Sequence, residues 1–206
     1  MKFFLRLKFK SLTKKQPRRR LIQTLINKKL QIILIMYYQI FVQSLAIVAL
    51  IIWAFSYHFK ERRSILLVQL TSQIFWITHF ILLDAYTGAA LATVAAFRLA
   101  VFSFKKKDNW VNSPFTFWAF IGLLVISTAL TLSSYWGFLA LAGGIFAIIA
   151  SWQNKQNNIR VLSIPSHICW IIYDIFAGSY GGALSEVILG ISAIFSLIRK
   201  KKLKIK

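Results

Sequence analysis

The chain has 206 residues, with 26 Lys+Arg against 5 Asp+Glu; 58% of it is hydrophobic and 15% charged. A water-soluble domain is about 45–50% apolar and about 25% charged, so that class is excluded, and an aromatic content of 16% excludes a disordered chain. A single cysteine, Cys169, excludes an intramolecular disulfide and a Cys-based zinc site, and three histidines (His58, His79, His167) make no His-rich metal centre.

What remains is an all-α polytopic membrane protein. A membrane helix needs about 20 apolar residues, with about 17 as a lower limit. In chain order the predicted spans are 37–57, 64–83, 88–104, 115–133, 137–153, 161–178 and 182–198, the third and fifth being short. The formal net charge of +21 does not point to nucleic acid, because its carriers stand in short clusters between apolar runs. These are Lys60, Arg62 and Arg63, then Lys105 to Lys107, then Lys155 and Arg160, then Arg199 to Lys202. The 84–87, 134–136 and 179–181 connections carry no Lys or Arg. By the positive-inside rule, seven spans with the N-terminus outside and the C-terminus cytoplasmic put every cluster on one side. Trp53, Trp110, Trp118, Trp136 and Trp152 fall near span ends, where interfacial tryptophans sit.

Residues 1–35 do not fit this pattern: they hold 11 Lys+Arg and no acid, yet the topology places them outside. Two readings stay open. Met36 is the initiator and 1–35 an upstream extension, or 1–35 is a real basic arm, either an amphipathic surface helix or a targeting presequence. Gln16-Pro17-Arg18 is expected to interrupt a helix there.

An internal match organises the rest. A gapless shift of 94 residues lays 67–107 on 161–201 with 10 identities in 41 positions. Among them are Trp76-Ile77 on Trp170-Ile171, Tyr86 on Tyr180, Gly88-Ala89 on Gly182-Ala183 and Lys106-Lys107 on Lys200-Lys201. The predicted organisation is therefore a 3+1+3 parallel repeat: 36–107 as the first three-helix repeat, 108–136 as a linker helix, 137–200 as the second repeat and 201–206 as a basic tail. Parallel repeats about an axis along the membrane normal are a transporter design, with the solute site between them.

The residues that carry this match also carry a resemblance. Cys169-Trp170-Ile171-Ile172-Tyr173, Ala177-Gly178-Ser179-Tyr180-Gly181-Gly182, Glu186 and Ile198-Arg199, with His79-Phe80-Ile81-Leu82-Leu83, Tyr86 and Ala96-Phe97-Arg98 in the first half, resemble the YgjV-type bacterial inner membrane proteins over roughly 36–200. The chain departs from that pattern at Asp84, where a glycine is expected, and at Ala95, where a polar amide is expected. The resemblance implies a bacterial inner-membrane location and no particular activity. At the level of topology the 3+1+3 arrangement also resembles the SWEET and PQ-loop transporters, without their Pro-Gln motifs.

Ionisable and aromatic residues inside spans are the candidates for chemistry. Trp76 and Trp170, paired by the shift, are placed to sandwich a planar solute, with Gln73 and His167, also paired, one turn earlier. Each has a plainer alternative in ordinary helix packing or an interhelical hydrogen bond. Asp174 and Glu186 flank the 177–182 turn and are placed to carry a proton or a cation, or to stand wetted at the interface. Arg98 is placed to hold an anionic group or to snorkel to the headgroups. Gly143-Gly144, Ala140 and Ala147 give a small-residue face for close packing. No nucleophile elbow and no phosphate loop is present, so no catalytic residue, metal or cofactor is expected. The expected function is a small-solute transporter, with a non-transporting membrane scaffold as the alternative and an enzyme not expected. The expected partners are the bilayer and a small polar solute, and a homo-oligomer is compatible with the sequence.

Overall fold

A computed structural model describes residues 17–56, 59, 62–104, 111, 113–153 and 156–203. Lys60, Lys105 to Lys107, Trp110 and Lys155 of the sequence argument lie outside these residues, as do 1–16. The described chain is seven helices: α1 (Pro17–Ser56), α2 (Arg62–Leu82), α3 (Tyr86–Ser103), α4 (Pro114–Thr131), α5 (Gly137–Trp152), α6 (Gln156–Ala177) and α7 (Tyr180–Leu203). Every predicted span falls on one of them. Five contain a stretch long and apolar enough to cross a membrane, while the apolar helices Gly137–Trp152 and Tyr180–Phe195 are shorter.

Two compact units are distinguished, Met1–Val42 and Gln43–Lys206. In the first, α1 runs without a break through Met36, and Pro17 is its first described residue, a place where the missing N–H costs nothing. From Leu25 to Phe41 this helix exposes large apolar side chains, Leu30, Ile32, Leu34 and Ile35 among them, a surface suited to lipid.

In the second unit, α2 packs on α3, α6 on α5 and α7, and α4 on α3 and α5. Small residues set the closest approaches. A Cβ on Gly143 of α5 would stand 2.8 Å from Cδ1 of Trp170, and one on Gly144 would stand 3.1 Å from Leu124 of α4. The expected small-residue face of α5 is thus used on both sides. Ser166 of α6 ties the same contact by donating to the Gly143 carbonyl at 2.8 Å. Phe115, Trp118, Leu130 and Phe195 point outward, as side chains facing acyl chains do.

The two tight turns are alike. Asp84, after α2, has φ +57°, and Gly178, after α6, has φ +74°. At the first, Ala85 N–H bonds the Phe80 carbonyl at 2.9 Å and Ala89 N–H the Ala85 carbonyl at 3.1 Å. At the second, Ser179 N–H bonds the Asp174 carbonyl at 2.8 Å and Ala183 N–H the Ser179 carbonyl at 2.9 Å. These are left-handed helix C-caps, in which a residue of positive φ lets the following N–H reach back to an orphan carbonyl. Glycine takes that conformation freely, and an aspartate pays a modest penalty. Asp84→Gly is therefore expected to raise stability by about 0.5–1 kcal/mol, less the weak exposed bond from Tyr86 Oη to Asp84 Oδ1 at 3.1 Å. The apparent melting temperature of purified protein checks it; an unchanged or lower value would mean that the carboxylate contributes more than its backbone costs.

Candidate functional site

The site is built where α2 and α6 face one another. Their contact is made by rings. Phe80 of α2 stacks on Trp76 (centroids 5.9 Å, interplanar 26°) and lies tilted against Trp170 of α6 (6.1 Å, 30°). Phe80 also meets Tyr173 at 6.1 Å, and Trp170 meets Tyr173 edge-on at 5.6 Å. His79 stands edge-on to Trp76 at 5.8 Å. Trp76, Phe80 and Tyr173 are buried, and Trp170 is half-buried. The two tryptophans singled out by the 94-residue shift therefore belong to one aromatic seam. The ring that touches both is Phe80.

Two hydrogen bonds cross this seam. His79 Nε2 lies 2.8 Å from Ser179 Oγ in the turn before α7. The Gly88 N–H at the start of α3 donates to Tyr173 Oη of α6 at 2.8 Å. Gly88 is in the first turn of its helix, where backbone donors lack intrahelical partners, so Tyr173 caps α3 from another helix. His79 and Tyr173 stand 94 residues apart, and each reaches the other half of the unit. Gln43 adds a third tie. Its amide donates to the Gly178 carbonyl at 2.8 Å and accepts from the Gly181 N–H at 2.8 Å, bracketing the α6–α7 turn.

The charged candidates fall in three places. Asp174, 1% exposed, lies beside Gly182 at the start of α7 with its Oδ2 in the neighbourhood of the Ser179 hydroxyl, while its Oδ1 has no hydrogen-bond partner. Glu186 does not bond Asp174. Its Oε2 lies 2.5 Å from Nδ1 of His167, and both side chains are mostly buried. Arg98 is 8% exposed, its Nε is buried without a partner, and among the described residues no carboxylate lies within ion-pair distance of it. It faces the protein interior rather than snorkelling out. Gln73 is buried on α2; Gln69, one turn earlier, bonds Ser56 of α1 at 3.3 Å.

The structure thus brings Trp76 and Trp170 into one seam and joins His167 to Glu186, while Gln73 and Arg98 have no contact with the seam among those described. Phe80, Tyr173, Ser179 and Gln43 are the participants that sequence reasoning passed over. The His167–Glu186 pair carried only a weak signal, a histidine and an acid on the two helices joined by the α6–α7 turn. Among the described residues no group of three or more His, Cys, Asp or Glu is arranged to hold a metal ion.

With the geometry in place, comparison with known proteins locates the chain. A family model, Imp-YgjV, described as a bacterial inner membrane protein, matches residues 40–204. The inner membrane protein YgjV of Escherichia coli (strain K12) is 27% identical over 111 residues, which cover 52% of this chain and 56% of that relative. The chain therefore matches about half the length of that curated relative. No solved structure matches.

Proposed function

We propose that this chain, which belongs to the Imp-YgjV family of bacterial inner membrane proteins, is a small-solute permease that works by alternating access between two three-helix repeats. The inner-membrane location and the multi-pass helical architecture are its premises. The repeats are the Gln43–Ser56 part of α1 with α2 and α3, and α5 with α6 and α7, α4 being the linker. What supports the duplication is more than sequence identity. The two positive-φ residues Asp84 and Gly178 stand 94 apart, their turns use equivalent backbone bonds, and His79 and Tyr173 make reciprocal bonds across the seam. Two rigid parallel repeats joined by side chains are the geometry in which one half rocks against the other. The orientation, with the N-terminus outside and the C-terminus cytoplasmic, follows from the basic loops.

The observation that carries the reading is the α2–α6 seam, where helices of the two repeats meet through rings and a few bonds. Trp76 and Trp170 are the proposed walls for a sugar, amino acid or other small polar solute. Gln73 and His167 are the proposed polar contacts, and Asp174, Glu186 and Arg98 supply charge. The reading assigns the chain no enzymatic step, cofactor, metal or nucleic-acid partner. In this conformation Phe80 closes the seam. A second reading, a non-transporting membrane scaffold, takes its support from that same ring, because a seam permanently filled by Phe80 has no room for a solute.

A thermal-shift screen of purified protein against sugars, amino acids and nucleosides, followed by uptake of any hit into proteoliposomes, separates the two. A ligand of the folded state raises the melting temperature by mass action. Trp76→Ala and Trp170→Ala are each expected to weaken that ligand at least about tenfold, the equivalent of about 1.4 kcal/mol. Uptake that survives both substitutions unchanged removes the seam from the transport path.

A further inference from the structure

We propose that Asp174 is the binding site of one exchangeable proton, set beside the Ser179 hydroxyl that pairs with His79 of α2. The inference deepens the permease reading, for which the proton is the coupling ion, but the site stands on its own geometry.

Asp174 is 1% exposed, its Oδ1 has no hydrogen-bond partner, and among the described residues no Lys or Arg pairs with it. A carboxylate in such a place lacks the partners that normally make buried charge tolerable. The groups facing it are few. α2 presents His79, α7 presents Glu186 across the turn, and α1 presents the neutral Gln43 amide. On its own helix the neighbouring Tyr173 is occupied by Gly88, and Glu186 is itself occupied by His167.

The ligand is assigned as a proton rather than a metal cation because a hard cation wants about six oxygens, and among the described residues no group of three or more His, Cys, Asp or Glu is arranged to hold a metal ion. The nearby carbonyls of Asp174, Ile175 and Gly178 each already accept a hydrogen bond, from Ser179 N–H, Gly178 N–H and Gln43, whereas a proton needs only the one partnerless oxygen, Oδ1.

The position gives the proton a consequence. Asp174 Oδ1 is buried without a partner, and Oδ2 stands near Ser179 Oγ beside Gly182. Ser179 Oγ lies 2.8 Å from His79 Nε2, so the charge on the carboxyl acts next to one of the ties across the α2–α6 seam, and proton occupancy at Asp174 biases whether the seam holds or opens. The 94-residue shift places Phe80 opposite Asp174, Ala85 opposite Ser179 and Ala92 opposite Glu186. A packing role at these places is met by apolar residues in the other half.

Infrared spectroscopy of the full chain in lipid, titrated from mildly alkaline to mildly acid pH, tests this without knowing the solute. The expected result is a carboxylic-acid C=O band that grows on acidification, is lost in Asp174→Asn and is kept in Glu186→Gln and Trp76→Ala. Absence of a titrating band in the wild type, or its persistence in Asp174→Asn, overturns the proposal. If Asp174→Asn does not fold, Ser179→Ala decides. The band must move in frequency as its neighbouring hydroxyl is lost, and an unmoved band overturns the assignment. A band abolished by sodium but not by choline chloride assigns a metal cation instead and also overturns it. A titrating band at Asp174 in a protein that moves no solute leaves the proton site standing while the permease reading falls.

Discussion

Phe80→Ala is expected to cost roughly 2–3 kcal/mol and to lower the apparent melting temperature of the purified protein more than any other truncation in the seam. The reason is its number of ring partners. Phe80 is 3% exposed and touches Trp76, His79, Trp170 and Tyr173. Removing a buried aromatic from a water-soluble core costs about 3–5 kcal/mol, part of it for transfer from water. Between membrane helices the transfer part is small, since acyl chains are as apolar as the interior, and the lost packing remains. Phe80→Leu keeps most of the volume and should cost less than about 1.5 kcal/mol. The two variants also report on function. A permease that must move Phe80 aside to admit solute should tolerate the truncation in binding while losing stability. A scaffold should lose both stability and partner. Equal melting temperatures for Phe80→Ala and wild type would mean that the seam is not the joint between the two halves.

Gly88→Val should be about as damaging, by the opposite route. A Cβ at Gly88 would stand 2.8 Å from Tyr173 Oη and 2.9 Å from two carbons of the Phe80 ring. Those atoms belong to side chains held on two helices, so one helix must shift to make room. Overpacking of this kind costs about 1–3 kcal/mol. Displacing Tyr173 also strands the Gly88 N–H, worth about another 1–3 kcal/mol when buried. Gly122→Ala on α4 is the control, because nothing lies within 4 Å of its Cβ position. A helix-interior alanine there should be neutral or stabilising by up to about 1 kcal/mol. The ratio of folded to aggregated protein on size-exclusion chromatography, with the melting temperature, reads both. Similar behaviour of Gly88→Val and Gly122→Ala would show that α3 and α6 have slack at their contact.

The seven helices were legible because hydrocarbon imposes one rule, that backbone polar groups be satisfied within the segment. Apolar runs between basic loops therefore mark helices with few exceptions. Most boundaries moved by a few residues, as at α6, which begins at Gln156 rather than 161; the large exception is α1, which begins at Pro17 rather than 37, because a basic, polar stretch can continue a helix well past the apolar limit. The seam was half legible. Identity under the 94-residue shift selected Trp76 and Trp170 because they match. It passed over Phe80 because its counterpart is Asp174, and over Tyr173 because its counterpart is His79. Pairing by identity finds what two segments share, whereas the contacts made here by Phe80 and Tyr173 use residues that differ from their counterparts under the shift. Gln43 was invisible for a different reason. Its bonds to Gly178 and Gly181 join positions 135 and 138 residues apart, and nothing local in a sequence reports which turn a distant amide will bracket.

The shortness of α5 carries a consequence for the lipid around it. At about 1.5 Å per residue, its 16 residues reach about 24 Å, while a bilayer's hydrocarbon layer is about 30 Å thick. At one end Trp136 is stacked flat on Phe176 at 3.5 Å, and at the other Trp152 is set among Phe102 and Phe117. A spanning helix shorter than the hydrocarbon layer is accommodated by local thinning, by flanking side chains that reach the interface or by association, at a cost of a fraction of a kcal/mol for each ångström of mismatch. Acyl-chain length is then expected to be a variable that this protein feels, with short-chain lipids relieving the mismatch at α5 and long-chain lipids sharpening it.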